Sequence, residues 1–230
     1  MKQYNNEKAI ISLTSWKARI NTVSKTLFSL IKQCPGFHIV LVLSEEEFPQ
    51  KEKELPENLM ILVNNNMIEI LWVYKNYKSF KKIFFTMRKY NHVPIISADD
   101  GCIYINNFAE ELYNKWLLNK NKIISFAKFE HYNIVLGGGG CGILYPPGCF
   151  NDFDLNMLTD YVIESLQDDG FIGCLAKKLN IQYYFIYPNR NDFLKHITYI
   201  DLTNAFTTSV WRNSSCQDKN ILFYKKIFNI

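Results

Sequence analysis

Two adjacent carboxylates, Asp99 and Asp100, end an apolar stretch that begins at Val93. Burying a single carboxylate costs several kcal/mol unless it is partnered, so a pair at the tip of a buried strand answers a chemical demand. Holding a divalent cation together with a phosphorylated ligand meets that demand, and a nucleoside-diphosphate compound is the first ligand to consider. Thr14, Ser15, Trp16 and Arg19 follow an earlier apolar strand. Their hydroxyls, indole and guanidinium suit a base, a ribose and phosphates. A plainer role is equally open for this loop, with Thr14 and Ser15 capping a helix and Trp16 packing. Lys78, Lys81 and Lys82 gather at the start of a further helix. Cations there cost about 0.3–1 kcal/mol each, so an anion is expected opposite them, most of all for Lys82. For Lys78 and Lys81 a solvated basic face is nearly as good a reading.

Asp168 and Asp169 open a helix over 169–179, where acids are ordinary first-turn residues. With Gly170 and Phe171 behind them, one carboxylate is also left able to act as a general base. The run Gly137 to Gly142 is neither G-x-G-x-x-G nor a P-loop, and its glycines allow close approach of backbone to a ligand or simply a tight turn. Tyr145-Pro146-Pro147-Gly148 then fixes a rigid turn. His38, His92, His131 and His196 lack zinc-site spacing, although His196 lies where it could reach a metal or phosphate. No G-x-S-x-G elbow is present.

These residues need a scaffold that brings them together. Apolar runs at 8–14, 38–43, 68–73 and 93–98 read as strands. Between them, helices are expected over 21–33, partly over 44–55, and over 79–90. The βαβαβαβ order predicts an α/β fold with a mostly parallel central sheet flanked by helices. Its strand ends would open on one crevice, gathering the 14–19 loop, Tyr74-Lys75 and Asp99-Asp100. Beyond 106, helices are expected at 108–118, 153–166 and 169–179, strands at 122–126 and 181–187, and no regular element over 137–147. One domain over 1–230 is expected, with a ligand-binding half to 105 and a second half from 106.

The 230 residues are 48% hydrophobic and 15% aromatic, enough for a substantial core. A net charge of +4, with cations interleaved among acids, predicts no nucleic-acid partner. Six scattered cysteines without a C-x-x-C pair predict free thiols in a reducing cytoplasm. A polar start without an apolar core after it, and no apolar run near the roughly 20 residues of a membrane span, predict a soluble protein.

Taken together the motifs resemble bacterial glycosyltransferases of the GT-A fold, family 2-like, the small sugar transferases of capsule and lipopolysaccharide assembly. Four pieces carry the resemblance: Ile11 to Arg19, Ser79 to Lys82, Ala98 to Tyr104, and Gly140 to Pro147 with Asp168 to Phe171 after it. It implies a nucleotide-diphosphate sugar donor, a UDP-sugar, bound by Thr14, Ser15, Trp16, Arg19, Lys82 and Asp99. It further implies Asp99 and Asp100 holding Mn or Mg, Asp169 with Asp168 as the general base of an inverting transfer, and Gly139, Gly140 and Tyr145 on the acceptor side. One departure stands out, since relatives commonly read Asp-Asp-Asp where this chain has Gly101. Gly170 also replaces a usually larger residue.

The leading expectation is therefore a cytoplasmic hexosyltransferase acting on a glycan or lipid-linked acceptor. A catalytically degenerate domain that binds a nucleotide-sugar or a partner is the alternative, raised by Gly101. A phosphoryl-transfer enzyme ranks last, because its acidic motif belongs on the first strand. The tail from Asn220 mixes aromatics with Lys225 and Lys226, so peripheral docking at the inner face of an anionic membrane and a closing helix are both open.

Overall fold

The computed structural model describes residues 7–33, 35–105, 107–165, 167–187, 196–199 and 214–230. Its first half alternates strand and helix: β1 (Ala9–Thr14), α1 (Val23–Ile31), β2 (Phe37–Ser44), α2 (Glu57–Asn64), β3 (Glu69–Val73), α3 (Lys81–Lys89) and β4 (Ile95–Ser97). The second half runs β5 (Cys102–Tyr104), α4 (Phe108–Leu117), β6 (Ile123–His131), β7 (Ile134–Gly137), β8 (Ile143–Tyr145), α5 (Asp160–Glu164), α6 (Asp168–Lys178), β9 (Tyr183–Tyr187), β10 (Ile197–Tyr199) and α7 (Ser214–Phe228).

The main sheet has the order β3-β2-β1-β4-β8-β6-β7, with β9 also beside β6. β3, β2, β1 and β4 are parallel, as is β9 to β6, whereas β8 runs antiparallel to β4 and β6. The two-stranded ribbon β5–β10 is antiparallel. β2 and β3 are laid down on one side of β1, and β4 on the other. The chain direction thus switches between β1 and β4, the place where open α/β sheets bind ligands. The loops after these two strands carry Thr14 to Arg19 and Asp99 to Gly101.

Both sheet faces are covered, which is why β1, β2 and β4 are apolar almost throughout. Ile11, Leu13, Leu41 and Ile96 pack on one side, with α1 and α4; Ile10, Val40, Val42 and Ile95 pack on the other, with α3 and α6. Ser12 is the polar interruption in β1. Its hydroxyl donates to the Lys82 carbonyl at 2.6 Å and pairs with Thr86 at 2.8 Å, pinning the start of α3 to the central strand.

The acidic stretch 44–55 forms only a short 3-10 turn, Lys51–Glu54, and the helix expected there lies later, as α2. Pro56 stands at its N-terminal boundary, where the missing N–H costs nothing. The 137–147 stretch is not irregular, because Ile143 to Tyr145 form β8 between β4 and β6. Helix over 153–166 shrinks to α5, and β5, β7 and β10 were not expected. They are strands of three or four residues, too short for a period to show.

The tail forms α7, with Ile221, Tyr224 and Phe228 buried against the α6 side of the core and Leu222 exposed. Most of its apolar residues thus pack on the core, as those of a closing helix do. Among the described residues no helix is long and apolar enough to cross a membrane. Cys102, Cys141, Cys149 and Cys174 are free thiols; Cys34 and the side chain of Cys216 lie outside the described residues.

Candidate functional site

Asp99 and Asp100 leave β4 in opposite directions. Asp100 turns inward, with 7% of its surface exposed. Ser15 Oγ donates to its Oδ2 at 2.7 Å and Arg19 Nη1 to its Oδ1 at 2.8 Å. Its carbonyl accepts from Thr26 Oγ1 at 2.9 Å. Burial pushes the Asp100 carboxyl upward, against Arg19 and Ser15, which pull it down. The residue ties the loop after β1 and helix α1 to the tip of β4.

Asp99 faces the crevice with 43% of its side chain exposed. Lys82 Nζ donates to its Oδ1 at 2.6 Å, and lies 3.4 Å from Oδ2 of Asp168. Burial pulls Lys82 down, yet Asp168, Asp99 and Asp169 outweigh it and hold the ammonium well above its ordinary range. The anion expected opposite this lysine is therefore present in the chain itself. The same holds for Lys81, buried and bonded to Asn76 at 3.0 Å, with Glu47 at 3.5 Å, and for Lys78, 3.8 Å from Glu164.

Neither Asp168 nor Asp169 caps α6; both lie in its first turn. Asp169 receives the backbone N–H of Gly139 on both oxygens, each at 3.0 Å, and keeps a partly exposed surface. Burial first, and the charge of Asp168 next, push its carboxyl up to about 8. That places it near neutral pH, where a general base is most effective.

The glycine run explains how two acids seventy residues apart share a site. A Cβ on Gly139 would lie 2.7 Å from Asp169 Oδ1, and one on Gly140 would lie 2.7 Å from Asp99 Oδ2. Real Cβ atoms essentially never come so close, so a side chain at either position would have to displace a carboxylate. Tyr104 completes the junction: its hydroxyl accepts the Asp99 N–H at 2.8 Å and donates to the Gly140 carbonyl at 3.2 Å.

Several expected site residues therefore meet: Ser15, Arg19, Lys82, Asp99, Asp100, Gly139, Gly140, Asp168 and Asp169. Thr14 uses its hydroxyl on the Val42 carbonyl at 2.7 Å, and Trp16 is 44% exposed at the crevice rim. Tyr145 is a correction. It is 1% exposed in β8, opposite Ile95, and so offers an acceptor no surface. His196 is another: its ring stacks on Phe126 at 4.6 Å and its Nε2 lies 3.1 Å from the Tyr187 hydroxyl and 3.2 Å from Glu111, a structural setting. Tyr104 and Thr26 were missed. Tyr104 ends the very motif that holds Asp99, which was the available signal; Thr26 sits mid-helix without one.

The carboxylates here offer a divalent cation few ligands of the protein's own. Among the described residues no three His, Cys, Asp or Glu side chains converge on a point that could hold one. Both Asp100 oxygens already have donors, and an ammonium sits on Asp99.

No family model and no curated protein matches the chain in sequence. Solved structures do match in shape. The glycosyltransferase GlyE of Streptococcus pneumoniae TIGR4 is 14% identical, with a TM-score of 0.50 over 79% of this chain and 45% of that one. TarS 1-349 of S. aureus is 11% identical, with a TM-score of 0.55 over 83% of this chain and 59% of that one. GalNAc-T7, solved with UDP, GalNAc and Mn2+, is 16% identical, and its TM-score of 0.42 over 55% of this chain and 24% of that one is too loose to bear on this chain. The chain spans less than two thirds of each of these proteins. At such identities the likeness establishes the fold, GT-A, and nothing finer.

Proposed function

We propose that this protein is a glycosyltransferase that moves a sugar from a nucleotide-diphosphate donor, a UDP-sugar, to a hydroxyl of a glycan or lipid-linked acceptor. The seating of Asp99 and Asp169 on consecutive glycines, at the edge where the sheet changes direction, carries this reading. It brings a half-exposed carboxylate suited to ribose hydroxyls beside a carboxyl poised to accept a proton. The single unit 1–230 would then divide by role, with the donor held by residues before 106 and the acceptor by those after.

In the proposed inverting reaction, Asp169 takes the proton of the acceptor hydroxyl as that oxygen attacks the anomeric carbon. The bond from this carbon to the diphosphate breaks, and the departing diphosphate keeps the electron pair. Nearby cations, Arg19 foremost, meet its charge. Lys82 holds Asp99 and Asp168 in place, while Thr14 and Ser15 fix the loop that presents Trp16 and Arg19. Gly139 and Gly140 set the spacing between donor and base.

The test combines a thermal-shift screen of UDP, GDP, CDP and ADP with measurement of nucleotide release from the matching sugars. A native-state ligand at 100 times its Kd adds about 2.7 kcal/mol of stability, a readily measured rise in melting temperature. Binding of UDP and its release from a UDP-sugar support the reading; no shift with any nucleotide overturns it. The non-catalytic binding module is favoured by Gly101 alone, and binding without any turnover across acceptors would select it.

A further inference from the structure

Gly101 stands where the resemblance implies a third aspartate, and its surroundings show what the chain has in that place. A side chain begun at Gly101 would put its Cβ 3.5 Å from Nη1 of Arg19. The guanidinium thus borders the position from which a third carboxylate would project. Mg2+ and Mn2+ take carboxylate oxygens as their protein ligands. The motif offers few: Asp100 is engaged by Ser15 and Arg19, and one oxygen of Asp99 by Lys82. A dication seated beside Gly101 would also face the positive charge of Arg19 across a short gap.

We propose that Arg19 stands in for the divalent cation: its guanidinium binds the donor diphosphate directly, and the protein grips a nucleoside diphosphate without metal. This inference rests on the nucleotide-sugar reading above. A guanidinium suits the task because its planar fork matches two phosphate oxygens at once and keeps its charge at any working pH. Arg19 is also held ready. Its partner Asp100 is anchored through Ser15 and Thr26, while the Arg19 side chain stays 26% exposed. Little ordering is then needed when the ligand arrives. Asp99, relieved of a metal, is left to accept hydrogen bonds from ribose.

Calorimetric titration of the wild-type protein with UDP, once in EDTA and once in MnCl2, tests this without any variant. The two dissociation constants are expected to agree within about threefold. Two variants extend the test. Arg19→Lys keeps a cation on buried Asp100 but loses the fork, and is expected to weaken UDP binding by about tenfold or more in EDTA. Gly101→Asp is expected to weaken metal-free binding similarly and to make it respond to Mn2+. Binding that needs Mn2+ in the wild type overturns the inference and leaves the nucleotide reading intact. An Arg19→Lys protein that is folded by circular dichroism and binds UDP as tightly as the wild type also overturns it. Absence of binding by UDP, GDP, CDP and ADP under both conditions sinks the nucleotide reading, and this inference with it.

Discussion

Asp169 combines a burial penalty with the role of base proposed above, and the two have opposite consequences for stability and activity. A carboxyl raised from 3.8 to about 8 binds more protons in the folded than in the unfolded chain throughout that window. Native stability therefore falls as pH rises from 3.8 toward 8. Asp169→Asn removes this penalty and is expected to raise the melting temperature at pH 8 while lowering turnover by about 10²–10⁴-fold. Wild-type kcat/KM should climb with pH to an inflection near 8, and the variant's residual rate should not. A pH series of melting curves and initial rates checks both. Gly139→Ala pushes a methyl against the same carboxylate; a loss of about a hundredfold in turnover is expected, since displacement of a reacting group by about 1 Å has that effect. Lys82→Met leaves Asp168 buried without its cation and should destabilise the fold by about 3 kcal/mol in urea unfolding.

At the scale of elements, α7 explains the second departure from the resemblance. A Cβ on Gly170 would stand 3.3 Å from Ile221 Cγ1 and 3.7 Å from Tyr224 Cε2. The closing helix thus occupies the space that a larger residue at 170 would fill. Phe171, behind it, packs edge-on against Tyr224 at 5.3 Å and Phe228 at 5.0 Å. Tyr224→Ala should cost about 3–5 kcal/mol by opening this contact, read as a lower urea midpoint at unchanged slope. Gly170→Leu should be destabilising by about 1–3 kcal/mol for the opposite reason, overpacking against α7.

For the molecule as a whole, the parallel half was legible because β1 to β4 are long or strongly apolar and separated by amphipathic helices. In the second half β6 and β9 were legible, but β5, β8 and β10 were not: they have three residues each, and their pairing is set by partners distant in sequence. The same division runs through the site. Asp99 and Lys82 could be singled out because a charge in an apolar setting is conspicuous, whereas Asp169 stood out through the resemblance alone. The roles of Gly139 and Gly140 could not, since a glycine's task depends on what stands next to it, here two carboxylates from other segments. Nor could Asp100 be told from Asp99: adjacent residues of one type point opposite ways at a strand end, and only the fold decides which faces in.

β4 is three residues long, wholly buried and hydrogen-bonded on both sides, to β1 and to β8. Its amides should be among the last to trade protons for deuterons, because releasing them means opening the centre of the sheet. Asp99 follows closely on that strand, so the placement of its carboxylate should outlast local opening elsewhere in the molecule.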